Sequence, residues 1–228
     1  MAFQDEHSPS ISSKVVLSAG ILAGTLLSAL LTSGYADWLN DLLKYENVGG
    51  NVYRKIILLS CCMIYFIRFT IGMFVFVHRK ISRFEGGLVS FLFFMMFYLF
   101  GISAGNHTEP IGVIDIVGIF LFLSGSYINT LAEYQRFAWK RKTENKGQLY
   151  IRGLFKYSMH INYFGDSISY VGLALITLEL VCLFVSIGII VNFIVLQIPM
   201  LDKHLGKKYD NEFKEYAKRG KKFIPFIY

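Results

Sequence analysis

Charge is scarce in this chain. Only 17% of its 228 residues are Asp, Glu, Lys or Arg, against roughly a quarter in soluble domains, so a water-soluble globule of ordinary composition is excluded. Cysteine is scarce as well. Cys61, Cys62 and Cys182 stand in apolar stretches without metal-ligand spacing, which excludes a cysteine-built metal site and leaves them as small buried hydrophobes. No internal repeat or low-complexity linker divides the chain. The segment Met1-Ala-Phe-Gln-Asp-Glu-His-Ser-Pro-Ser is acidic and polar. It lacks the basic n-region of a cleaved signal peptide, so the first apolar stretch is expected to stay as an anchor.

Apolar residues are abundant, and they come in blocks. Hydrophobic residues make up 54% of the chain, with 21 Phe and 14 Tyr. Several blocks approach the roughly 20 residues that cross a bilayer as a helix. The expectation is an all-α, polytopic integral-membrane protein, a single domain over residues 1–228 with about six transmembrane helices. The spans fall near Val15–Tyr35, Ile56–Val77, Leu88–Ala104, Ile114–Leu131, Asn162–Leu178 and Leu180–Ile198. The last two form a hairpin turning at Glu179. The tail from Leu201 to Tyr228 is basic, and helical in character as far as Gly220.

The net charge of +7 is not a nucleic-acid signal, because the basic residues sit in short loops and in the tail. That placement suits membrane lipids and predicts both termini in the cytoplasm, in a bacterial inner membrane or the endoplasmic reticulum. A basic cavity mouth would also draw in a phosphorylated cofactor. Arg68 falls inside the second span, where it is expected to snorkel or to pair with a buried acid such as Asp115.

The densest chemistry lies in Gly153-Leu-Phe-Lys-Tyr-Ser-Met-His-Ile-Asn-Tyr-Phe-Gly-Asp166. Polar and ionisable groups at a membrane boundary are costly, so their default reading is functional. Asn162 suits an amide or a ribose, Tyr157 and Tyr163 combine a ring with a proton donor, and His160 can meet phosphate or ribose. Asn129 and Glu133, four apart, share a helix face. Arg136, Lys140 and Arg152 are candidate phosphate clamps. Each has a structural alternative: an aromatic-belt anchor, a helix cap or a solvated helix end.

These residues resemble a membrane reductase superfamily that includes the steroid 5-alpha-reductases and the sterol reductases. Its related motif reads Gly-Leu-(Trp/Phe)-x-Tyr-Ser-Arg-His-Pro-Asn-Tyr-Phe-Gly-(Glu/Asp). Here Met159 replaces the Arg and Ile161 the Pro. Asn129, Glu133, Lys140 and Gly147 match a preceding pattern. Tyr209, Phe213, Tyr216, Lys218, Lys221 and Ile224-Pro-Phe-Ile-Tyr228 match the C-terminal one. The resemblance implies NADPH as cofactor, held by Asn129, Glu133, Lys140, His160, Asn162, Tyr163, Asp166, Tyr209 and Lys218. It makes residues 125–228 the cofactor half and 15–124 the half for a hydrophobic lipid substrate. It implies reduction of a C=C bond, with Tyr163, Tyr65 or Tyr98 as proton donor. The related lipid and isoprenylcysteine methyltransferases use S-adenosylmethionine, and they carry an acidic pair before the final helix. Leu196–Leu201 has none, which tilts the reading towards reduction. A non-enzymatic relative that kept the fold is a third alternative.

Overall fold

In hydrocarbon every backbone N–H and C=O must find its partner within the segment, so apolar blocks of this kind fold as helices. The computed structural model describes residues 10–227; the N-terminal segment 1–9, with its acidic stretch, and Tyr228 lie outside the described residues. The helices are α1 (Ile11–Leu31), α2 (Asp37–Leu43), α3 (Val52–Ile71), α4 (Arg83–Asn106), α5 (Val113–Lys140), α6 (Ile161–Thr177), α7 (Leu180–Asn192) and α8 (Ile198–Arg219). Among the described residues there is no strand.

Five of these rods are long and apolar enough to span a membrane: α1, α3 with its extension to Phe76, α4, α5, and the continuous α7–α8 rod. The extensions are wide π-helical turns, Gly72–Phe76 after α3 and Phe193–Gln197 between α7 and α8. The apolar part of the last rod ends before the charged body of α8. The sixth expected span, α6, has 17 residues. It runs through the middle of the bundle, touching α3, α4, α5 and α7. Its hairpin with α7 turns at Leu178, in the left-handed region at φ 56°, and Thr177 Oγ1 accepts from Glu179 N there. The tail is helical up to Gly220, as its composition predicts.

Small residues set the spacing of two helix pairs. A Cβ on Gly24 of α1 would lie 2.4 Å from the Phe94 carbonyl oxygen of α4. One on Gly125 of α5 would lie 2.4 Å from the Gly165 oxygen of α6. Backbones in near-contact are the usual solution for helices that associate without water to drive them together. Around α6 an aromatic core forms from Tyr65, Phe97, Phe100, Phe122 and Tyr170 with Leu173 and Ile176.

The bundle has two polar ends. At one, Ser10 Oγ accepts from Ile81 N and Lys14 Nζ donates to the Val77 carbonyl. At the far end, Asn51 N donates to the His107 carbonyl, and the Asn51 side chain caps α3 by accepting from Tyr53 N and Arg54 N. The far end also corrects one expectation. Asp115 does not pair with Arg68; its partner is Arg54, through Nε to Oδ1 at 3.1 Å and Nη2 to Oδ2 at 2.9 Å. Arg54 and Asp115 are 0% and 1% exposed. Nη1 donates to the Glu109 carbonyl and Nη2 also to that of Pro110, and Asp115 accepts from Gly112 N. The reason is register. α3 and α5 run the same way, and Arg68 lies fourteen residues beyond Arg54, roughly 21 Å along a helix. That brings Arg68 level with Asn129, fourteen residues beyond Asp115.

Candidate functional site

The near end of α5 and α6 carries a polar network inside the bundle. Arg68 donates from Nη1 to Asn129 Oδ1 at 2.6 Å and from Nη2 to Asp166 Oδ1 at 2.8 Å. Asn129 Nδ2 donates to the Asn162 carbonyl, and Asn162 Nδ2 donates to Glu133 Oε1 at 2.9 Å. Glu133 Oε2 in turn accepts from Arg136. The Gly125–Gly165 contact makes this possible: one turn further along α5, Asn129 already stands against the first turns of α6. Unlike Arg54, Arg68 retains a buried Nε–H without a hydrogen-bond partner.

The network borders a cavity of about 520 Å³ lined by Phe76, His78, Glu133, Arg136, Phe137, Lys140, Arg141, Asn145, Lys146, Gly147, Gln148, Lys208 and Tyr209. Five Lys and Arg side chains face one carboxylate there. Lys140 Nζ donates to Tyr209 Oη at 3.3 Å, tying α5 to α8. α8 bends at Asp210, whose φ of 35° and ψ of −103° are not helical. Beyond the bend Glu212 accepts from Leu149 N, so α8 also holds the loop that supplies Lys146 and Gly147. Gly153, at φ 58°, is needed for itself: a Cβ there would fall 2.1 Å from Gln135 Oε1. Nearby, burial pushes the Tyr150 hydroxyl up while the Arg152 charge opposes the rise.

The expected site residues divide into groups. Glu133, Lys140 and Tyr209 line the cavity, and Asn129, Asn162 and Asp166 form the network beside it. Tyr163 packs on Phe193, with centroids 4.8 Å apart, and lies beside His160. His160 is 1% exposed and its Nε2 is 2.8 Å from Asp202 Oδ1 of α8, while Asp202 Oδ2 meets Lys222 Nζ at 3.2 Å. It therefore buckles the C-terminal segment onto α6 and does not line the cavity. Lys218 is exposed and pairs with Glu215 on the outer face of α8, apart from the others. Tyr65 is buried, its hydroxyl 2.5 Å from that of Tyr170, and Arg68 stands 4.7 Å above its ring. Tyr98 stacks on Phe94 and faces the far end. There it reinforces the rise that burial gives the Tyr45 hydroxyl, against the lowering effect of the Asn106 hydrogen bond.

The two motif departures have physical explanations. Met159 is buried under the tail: its N donates to the Lys221 carbonyl, and Ser158 Oγ donates to that of Phe223. Ile161 is buried with Ala132, Tyr150 and Phe155. Both positions face packing surfaces, where an apolar side chain suits. Three participants carry no clear signal in the sequence. Asp202 lies one position past the acid-free stretch Leu196–Leu201. His78 and Phe76 come from the half assigned to substrate. The equal fourteen-residue spacings 54–68 and 115–129 were the available signal for the two arginine pairings.

Among the described residues, no group of three or more His, Cys, Asp or Glu side chains can hold a metal ion. A family model described as "Protein of unknown function (DUF1295)" matches residues 87–220. No curated protein matches the chain.

Proposed function

We propose, for a chain that belongs to the DUF1295 family, that it is a membrane-embedded, NADPH-dependent reductase of a C=C bond in a steroid-like, isoprenoid or other lipid. The observation that carries this reading is the cationic cavity beside the Asn129–Glu133–Asn162 network. Its volume of about 520 Å³ falls within the range of ligand pockets. Its charge favours a polyanionic dinucleotide over S-adenosylmethionine, which is itself a cation. The resemblance to steroid and sterol reductases supports the same choice.

The residues fit such a cofactor. Arg136, Lys140, Arg141, Lys146 and Lys208 supply phosphate partners. Glu133 and Asn162, already joined, present an acceptor and an amide for ribose hydroxyls or a carboxamide. NADPH, when bound, supplies the hydride. The protein must supply the proton and keep water out. Of the three candidate phenols, Tyr65 is the best placed to hold that proton. Its hydroxyl shares a hydrogen bond with Tyr170, and the Arg68 guanidinium stands over its ring beside the polar network. The near end then faces the cytoplasm, where NADPH is found, in accord with the basic loops.

Calorimetric titration of the detergent-solubilised protein with NADPH and with S-adenosylmethionine tests the reading. Binding of NADPH in preference is expected. Tight S-adenosylmethionine binding with none for NADPH would overturn it in favour of methyl transfer.

A further inference from the structure

Part of the cavity wall is aromatic. Phe76, at the end of the wide turn after α3, lies 5.4 Å from Phe137 of α5, centroid to centroid. The His78 imidazole runs nearly parallel to the Phe137 ring, with 8° between the planes and 6.1 Å between the centroids. The Arg141 guanidinium carbon stands 5.5 Å from the Phe137 centroid. All four side chains line the same cavity as Lys146 and Lys208.

Apolar rings in a cleft crowded with ammonium and guanidinium groups call for an explanation. Burial does not supply one, since His78 is exposed and Phe76 and Phe137 are only half-buried. A flat, electron-rich face beside several cations is what a base-bearing phosphate needs. The base stacks on the rings and the guanidinium plane, while its phosphates meet the charges. This set shares no side chain with Asn129, Glu133, Asn162 or Asp166, so it would hold a different part of the ligand.

We propose that Phe76, His78, Phe137 and Arg141 form a shelf for the purine ring of a phosphorylated nucleotide, with Lys146 and Lys208 as its phosphate partners. The inference rests on the nucleotide-binding reading of this cavity given above and is independent of the hydride chemistry. It assigns the aromatic end of the cavity to the base and leaves the Glu133–Asn162 end for the reacting half of the cofactor.

The test is calorimetry on the full-length, detergent-solubilised protein with three probes: NADPH, adenosine 2′,5′-bisphosphate, and ribose 5-phosphate as a base-free control. The wild type is expected to bind the bisphosphate more tightly than the control. His78→Ala, an exposed loop change, and Phe137→Ala should each weaken the bisphosphate by about tenfold, as loss of one stacking face does, and leave the control unmoved. Phe137→Tyr, which keeps the ring, should retain affinity and guards against misfolding of the alanine variant. Equal binding of bisphosphate and control by the wild type overturns the shelf. So does NADPH binding that neither alanine variant weakens, although the reductase reading then survives. Selective bisphosphate binding lost in both alanine variants, with no NADPH-dependent reduction of any lipid, keeps the shelf and sinks the reductase.

Discussion

Two arginines fourteen residues apart on α3 meet two partners fourteen apart on α5, yet they do opposite things. Arg54 is sealed: each nitrogen of its guanidinium has an acceptor, and so does its carboxylate partner a set of donors. Arg68 stays incomplete. It is shared between Asn129 and Asp166, leaves its Nε–H without an acceptor, and belongs to a network that reaches a charged cavity through Glu133. A satisfied buried ion pair fixes register; an incompletely satisfied one at a cavity has capacity left for a ligand. The same residue type on the same helix thus serves as a clamp at one end and as part of a network beside a charged cavity at the other.

The contrast can be broken most forcefully at the clamp. Asp115→Ala leaves a buried, unpaired guanidinium and should cost about 3–5 kcal/mol of stability, read as a large drop in melting temperature in detergent. Arg54→Met combined with Asp115→Leu should recover most of it. A normal melt for Asp115→Ala would remove the distinction between the two ends.

At the open end the expected signature is reversed. Glu133→Ala should weaken NADPH by roughly tenfold or more, as loss of a charged hydrogen-bonding group does, and should move the melting temperature less than Asp115→Ala does. Parallel titration and melting curves on the two variants would show whether function and stability separate as the geometry says.

Gly125→Ala probes the join between α5 and α6. Its methyl would meet the Gly165 carbonyl oxygen, so a loss of about 1–3 kcal/mol is expected from overpacking. Cofactor affinity should fall with it, because Asn129 and Glu133 lie on the same face of α5. The smallest effects belong to the cavity rim. Lys146→Gln and Lys208→Gln should each weaken NADPH by about threefold at low salt, and the differences should shrink in 0.5 M salt as screening removes the attraction. An effect of Lys146→Gln that salt does not alter would point to a role in loop folding.

Much of the fold is legible because hydrophobic blocks follow directly from the thickness of the bilayer. The α6–α7 turn at Glu179 and the end of α8 at Gly220 fell where the residues indicated. In the site, Asn129, Glu133 and Asn162 were legible from helical spacing and from the family resemblance, and they do meet. His160 is a candidate ligand contact by its position in the motif, but a sequence cannot say that Asp202 will arrive from α8 to engage it. Lys218 was matched by position in a pattern, but the face of α8 it occupies depends on the bend at Asp210, which no local residue signals. Arg68 stands out in the sequence, but its acid is Asp166 rather than Asp115, because relative helix register depends on loop lengths and contacts far from the residue itself.

The wide turn at Gly72–Phe76 has a further consequence. A π-helical turn takes in one residue more than an α-helical one, and one residue is worth about 100° of rotation. Arg54 and Arg68 precede that turn, Phe76 closes it and His78 lies just beyond it, so the rod and the segment that leaves it hold two rotational settings. The helix can keep its arginines aligned with α5 while the segment beyond turns its rings towards the cavity. Deleting a single residue from 72–75 would act as a frameshift in angle: it would spare the register of everything before it and swing Phe76 and His78 away from the charged pocket they now face.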